Sequence, residues 1–256
     1  MNSHTPDTAI EVMAAETRRI LRASDEAGLR LRLLGSVAVQ LRCPRYAVVA
    51  QRGRRFQDID FAGSKNEAAE VRDLLSSLGY VEDREVFVLS EGGRAIFEHA
   101  NGQLHIDIFY EVLDFCHAIH LNGRLDADPP TLPLAELLLT KLQIVKINEK
   151  DLVDAIVLLL EHELGGTDAG VINTARIAKL CAEDWGLWRT TSMNIGKLTS
   201  LAGTLSSIAD TERRRVAAQA ASLLGVMTAY PKPLAWRLRA QIGDRVKWYK
   251  DVEEVR

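Results

Sequence analysis

The sequence predicts an α+β protein, with a mixed β-sheet and flanking helices in its first half and a helical bundle in its second half. Three observations support this class. Strand-like runs and helical patterns are interspersed up to about residue 110, and apolar residues recur at helical spacing from Leu134 onward. A segment with three prolines, 126–133, separates the two patterns. We therefore predict a first domain over residues 1–128 and a helical domain over residues 129–256.

The composition is ordinary for a globular chain. Of its 256 residues, 47% are hydrophobic and 26% are charged, with a formal net charge of −3. This charge argues against a surface that coats nucleic acid, so DNA is not expected as a partner. The three cysteines show no pairing pattern, which favours a reducing compartment. No signal peptide or membrane-spanning run is evident, and we predict a cytoplasmic protein without membrane contact.

Turn and capping signals set the elements of the first half. Pro6 can begin a helix, Ser64 with Glu67 forms a capping-box pattern, and Asn101-Gly102 is a hairpin turn. In chain order we predict helix 6–28, strand 31–34, helix 36–42, a loop over 45–57 with four arginines, strand 58–61, helix 64–79, and strands 85–89, 94–99 and 103–110.

The second half reads as consecutive helices. Leu134 starts an apolar stripe that reaches Val145, and Asn148 with Asp151 can cap the next helix, which ends at 165–166. Another helix is predicted to start at residue 167 or 168. Further helical patterns occupy 184–203, 206–228 and 232–249.

Three carboxylates are the first candidates for chemistry. Side chains alternate along a strand, so Asp58 and Asp60 project from one face while Ile59 and Phe61 enter the core. The alternation in strand 103–110 leaves Asp107 on an exposed face as well. Clustered carboxylates disfavour one another's charge unless a cation neutralises them. Mg²⁺, which accepts oxygen ligands and often brings a phosphate-bearing substrate, suits this cluster.

Gly35-Ser36 is the second candidate, because it lies where a strand meets a helix. Glycine lets the backbone approach a ligand closely, and the first N–H groups of a helix bind phosphate. The loop 45–57 that follows carries Arg54 and Arg55, and a solvated basic loop is one interpretation of these arginines.

The order of strand, Gly35-Ser36, helix, Asp58-x-Asp60 and a third aspartate, Asp107, resembles the polymerase-beta-like nucleotidyltransferase superfamily over residues 28–160. Because 21 residues separate Ser36 from Asp58, the pattern is most like that of the antibiotic (aminoglycoside and lincosamide) and abortive-infection-type toxin nucleotidyltransferases. The resemblance also implies a lysine on the helix after the first domain, which Lys141 matches, and a basic-acidic pair on the next helix, which Lys150-Asp151 matches.

The resemblance implies an enzyme that transfers a nucleoside monophosphate from a nucleoside triphosphate (NTP) to a hydroxyl group, with two Mg²⁺ ions. The acceptor is left open between a small molecule, a tRNA and a protein. A nucleotide-binding or partner-binding protein that keeps this fold without turnover is the alternative. The catalytic and metal-binding residues would be Asp58, Asp60 and Asp107, and the nucleotide-binding residues would be Gly35, Ser36, Arg54, Arg55, Lys141 and Lys150.

Overall fold

Five strands form one mixed sheet in the first half of the chain. The computed structural model describes residues 6–51, 58–102 and 104–251, with side chains from residue 11 onward. The strands are β1 (Arg32–Leu34), β2 (Asp58–Gly63), β3 (Tyr80–Asp83), β4 (Arg94–His99) and β5 (His105–Tyr110). Their order is β1-β2-β5-β4-β3. The central pair β2–β5 is parallel and the other pairs are antiparallel. The predicted class is therefore confirmed.

The two faces of this sheet differ in polarity. Ile59, Phe61, Ile106, Ile108 and Phe97 are fully buried on one face. On the other face, Ala62 and Phe109 are buried near the ends of β2 and β5. The remaining alternating residues of these strands and of β4 include exposed or half-buried polar side chains, which are Asp58, Asp60, Glu98, His105 and Asp107. A polar face remains because strand side chains alternate strictly. We call it the carboxylate face.

Helices complete the first half of the chain. They are α1 (Pro6–Glu26), α2 (Gly35–Arg42), α3 (Ala47–Gln51), α4 (Ala68–Ser77) and α5 (Arg84–Leu89). Helix α4 contacts both α1 and β3, and Tyr80 Oη donates a hydrogen bond to Glu16 of α1 at 2.8 Å. Buried side chains of α1 and α4 thus join the apolar core of the sheet.

Three local predictions for this half are wrong. Residues 85–89 are helical, because the Asp83 carboxylate caps α5 by accepting hydrogen bonds from the first N–H groups. Ser64 makes no capping hydrogen bond, and the Glu67 carboxylate instead accepts two from Arg30. The predicted loop 45–57 contains α3, while Arg54 and Arg55 lie outside the described residues.

The second half is helical, as predicted. Its helices are α6 (Leu134–Leu142), α7 (Glu149–Glu161), α8 (Thr174–Glu183), α9 (Trp185–Thr204), α10 (Asp210–Ala229) and α11 (Leu234–Ile242). Short strands are β6 (Val112–Asp114), β7 (Ala118–His120), β8 (Leu164–Gly165) and β9 (Ile172–Asn173).

Caps decide where two of these helices begin. The predicted cap of α7 is confirmed, because Asn148 Oδ1 accepts a hydrogen bond from the Asp151 N–H at 2.8 Å. Helix α8 begins later than residues 167–168, because Asn173, at the end of β9, caps it through the Arg176 N–H. The start of α8 therefore depends on a strand pairing that its own sequence does not reveal.

The contacts among the described residues define two compact units. The first comprises residues 6–38, 58–102, 104–113 and 120–132, and the second comprises 39–51, 114–119 and 133–251. Residues 130–132 run along β1, where the Leu33 N–H donates to Pro130 O and the Leu132 N–H donates to Leu33 O. In the described part of the chain, no helix combines the length and the apolar character needed to cross a bilayer.

Candidate functional site

Strand pairing gathers the three predicted carboxylates on the carboxylate face. In the parallel register of β2 and β5, Asp60 lies directly beside Asp107, and Asp58 lies beside His105. Neighbouring strands are about 4.8 Å apart, so the side chains of Asp60 and Asp107 are immediate neighbours. Asp58 is exposed, and Asp60 and Asp107 are half-buried. His105 is also partly open, with 40% of its side chain exposed.

Gly35 brings the backbone close to one of these carboxylates. It is the first residue of α2 and has a φ of +70°. A Cβ atom added at residue 35 would lie 1.9 Å from Asp60 Oδ2, which is far inside van der Waals contact. The Asp60 carboxylate therefore lies against the N-terminal end of α2, where Ser36 follows. Whether Gly35 and Ser36 bind phosphate stays a prediction.

Arg94 is a site residue that the sequence analysis missed. Its Nε lies 2.9 and 3.1 Å from the two oxygens of Asp107, and its Nη2 lies 2.5 Å from Oδ2. The guanidinium also lies over the ring of Phe109, 5.3 Å from its centre. The side chains of Arg94 and Asp107 are 31% and 17% exposed. Their contact is thus a bidentate, charge-assisted ion pair that is shielded from much of the solvent.

The charges on this face interact with one another. Burial raises the pKa of Asp107, the hydrogen bonds from Arg94 lower it in part, and the charge of Asp58 raises it further. The hydrogen bonds to Asp107, opposed by burial, raise the pKa of Arg94, and the charge of Asp60 adds to this increase. Asp107 is therefore coupled electrostatically to Arg94 and to Asp58, and Arg94 is coupled to Asp60 as well.

The donor set fits one hard divalent ion better than two. Mg²⁺ commonly uses one or two protein carboxylates and completes its shell with water and substrate phosphates. Asp58 and Asp60 can provide such a pair, whereas the oxygens of Asp107 already contact Arg94. Within residues 6–51, 58–102 and 104–251, no three His, Cys, Asp or Glu side chains form a group that could hold a metal ion. Asp107 as a metal ligand stays a prediction.

The predicted lysines belong to the second unit. Lys141 Nζ lies 2.9 Å from Asp151 Oδ1 and 3.0 Å from Asp154 Oδ2. Burial alone would lower the pKa of Lys141, but the two carboxylates outweigh that effect and raise it. Lys150 is exposed in the first turn of α7. For both lysines, a contact with nucleotide stays a prediction.

Comparisons with known proteins add a distant likeness. No protein-family model matches the chain, and no curated protein matches it. Among solved structures, the solution structure of the antibiotic-resistance factor ANT(2'')-Ia is similar over 76% of this chain and 97% of that chain. The sequence identity is 13% and the TM-score is 0.40. A likeness of this extent identifies no ligand and no activity.

Proposed function

We propose that the chain is a nucleotidyltransferase that moves a nucleoside monophosphate from an NTP to a hydroxyl group. The observation that carries this proposal is the neighbourhood of Asp60. Asp107 lies beside it in register, Asp58 projects from the same face, and Gly35 brings the start of α2 against its carboxylate. Carboxylates for a divalent ion and backbone donors for phosphate, the two kinds of group that an NTP requires, are thus adjacent.

In this reaction the acceptor oxygen forms a bond to the α-phosphorus, the α–β phosphoanhydride bond breaks, and pyrophosphate leaves. The hydroxyl proton passes to a base, for which Asp107 is our candidate. A divalent ion held by Asp58 and Asp60 would neutralise the phosphate oxygens on which charge develops. The protein's own contribution is therefore to fix charges and orientation before reaction. The acceptor is a small molecule, a tRNA or a protein side chain.

A binding protein without turnover is the second candidate. The ion pair between Arg94 and Asp107 favours it, because a carboxylate whose oxygens contact a guanidinium is less available to bind a metal ion. Such a protein would still bind nucleotide through the start of α2. The two candidates differ in one observable, which is the breaking of the α–β bond.

The test is to incubate the full chain with Mg²⁺ and each of the four NTPs labelled at the α-phosphate. Pools of small hydroxyl compounds, of tRNA and of protein serve as acceptors. We expect label to move into one pool, with release of pyrophosphate, and we expect Asp60→Asn to lose this transfer. Nucleotide binding without label transfer to any pool would instead support the binding protein.

A further inference from the structure

Arg94 contacts a carboxylate that an ion on the carboxylate face would otherwise bind. Its Nε contacts both oxygens of Asp107, and its Nη2 makes a second contact with Oδ2. A cation that bound the same carboxylate would lie against this guanidinium, and like charges at such a distance repel strongly in a half-buried site. The contact with Phe109 and the pairing of β4 with β5 hold Arg94 in place.

We propose that Arg94 takes the place of one of two metal ions, so that the carboxylate face binds one divalent ion through Asp58 and Asp60. This inference rests on the proposed function. Asp107 then contributes no metal ligand, and Arg94 acts as a positioning residue that fixes the orientation of Asp107. Guanidinium suits this role because its charge is permanent and its planar donors match a carboxylate.

The test counts ions, using Mn²⁺, which carboxylate sites also accept. The full chain is dialysed against Mn²⁺ with α,β-methylene analogues of the four NTPs, which cannot be cleaved at the α–β bond. Free Mn²⁺ is then measured by electron paramagnetic resonance. We expect one nucleotide-dependent ion per wild-type chain, and two per chain in Arg94→Gln, because that variant frees the oxygens of Asp107.

Arg84→Gln is the matched control. Arg84 belongs to the same unit and pairs with a carboxylate, Glu82, but its side chain is 76% exposed. The ion count should stay at one in this variant. It should also be one in Arg94→Gln/Asp107→Asn, because the freed carboxylate is removed again. Circular dichroism verifies that each variant is folded.

Asp107→Asn keeps the inference testable if Arg94→Gln does not fold. We expect this variant to keep its single ion. Two ions in the wild type, a single ion in folded Arg94→Gln, or loss of the ion in Asp107→Asn would each overturn the inference while leaving the proposed function intact. A wild-type chain that binds no ion with any nucleotide would overturn both.

Discussion

At the scale of single residues, Gly35 meets two requirements at one position. Its φ of +70° lies in the left-handed region that favours glycine, and its missing side chain leaves room for Asp60 Oδ2. The Asp60 carboxylate can therefore lie at the start of α2, where the helix dipole favours negative charge. The carboxylate face depends on glycine at this position.

Gly35→Ala should therefore weaken both the fold and nucleotide binding. The left-handed backbone alone costs an alanine about 1–2 kcal/mol, and the clash with Asp60 adds to this loss of unfolding free energy. Because the clash moves Asp60, we also expect a lower affinity for NTP in the presence of Mg²⁺. Urea denaturation measures the first effect, and calorimetric titration with a non-hydrolysable NTP measures the second.

Gly28→Ala is the matched control for this prediction. Gly28 has nearly the same φ, +71°, but a Cβ at residue 28 would meet no atom within 4 Å. We expect this variant to lose only the stability that a left-handed backbone costs an alanine, about 1–2 kcal/mol. Its nucleotide affinity should equal that of the wild type. Equal losses of stability and affinity in the two variants would remove the steric role that we assign to Gly35.

At the scale of helices and strands, local signals predicted the elements whose stabilising contacts are also local. Asn148 caps α7 as its sequence indicates, and strand 94–99 occupies the predicted residues. The prediction for 85–89 is wrong because β-branched and apolar residues suggested a strand, whereas the Asp83 cap favours a helix. Propensity is a weak guide for so short a segment.

The same limit applies to the candidate site. Alternation along β2 is sufficient to put Asp58 and Asp60 on one face, because it depends on one strand alone. The contact of Arg94 with Asp107 requires the antiparallel register of β4 and β5, which the two strand sequences do not specify separately. An arginine as the first residue of a hairpin strand, directly after Gly92-Gly93, was the available but weak signal.

The buried pairs of Lys141 join α6 to α7 and lead to a prediction about stability. The Lys141 side chain is 11% exposed and that of Asp154 is fully buried. Lys141→Met keeps the aliphatic volume but leaves buried negative charge without its cation, which typically costs about 3–5 kcal/mol. We expect a loss of this size in the free energy of unfolding at pH 7, measured by urea denaturation.

Two further variants sharpen this prediction. Lys179→Met removes a surface lysine whose pair with Glu183 spans 3.9 Å, and it should change stability by no more than about 0.5 kcal/mol. Lys141→Met/Asp154→Asn should recover part of the loss, because it removes a buried charge. Wild-type stability in Lys141→Met would contradict the structural role, and unchanged NTP affinity in the folded variant would remove Lys141 from the nucleotide site.

At the scale of the whole molecule, buried thiols and phenols predict a loss of stability in alkali. Burial raises the pKa of Cys181 to about 12, and the nearby Thr191 hydroxyl opposes this increase only in part. Burial also raises the pKa values of Cys43, Tyr80 and Tyr110. In the unfolded chain these thiols and phenols ionise near pH 9.0 and 10.0. Below these pH values the thiols and phenols are neutral in both states, so their contribution to the free energy of unfolding is constant. Above them the groups ionise in the unfolded chain first, and the free energy of unfolding falls until the pH reaches the folded pKa values.

We expect the free energy of unfolding to decrease from about pH 9 upward. Urea titrations between pH 7 and pH 11 measure this decrease. In Cys43→Ala/Cys181→Ala the decrease should begin nearer pH 10, since the tyrosines and then Lys141, whose folded pKa values are also raised, ionise at higher pH than a thiol. A free energy of unfolding that stays constant to pH 11, or an identical pH profile in the double variant, would contradict the assigned burial.

The most direct test of the proposed function compares neutralised side chains on one face of the sheet. Pyrophosphate release and label transfer are measured for the wild type, Asp58→Asn, Asp60→Asn and, as the control, Glu98→Gln. Glu98 is an exposed carboxylate that lies beside His105 on the same face. We expect the two aspartate variants to lose at least about 100-fold in rate and Glu98→Gln to retain wild-type turnover. Near-wild-type turnover in either folded aspartate variant would contradict a nucleotidyltransferase site on this face.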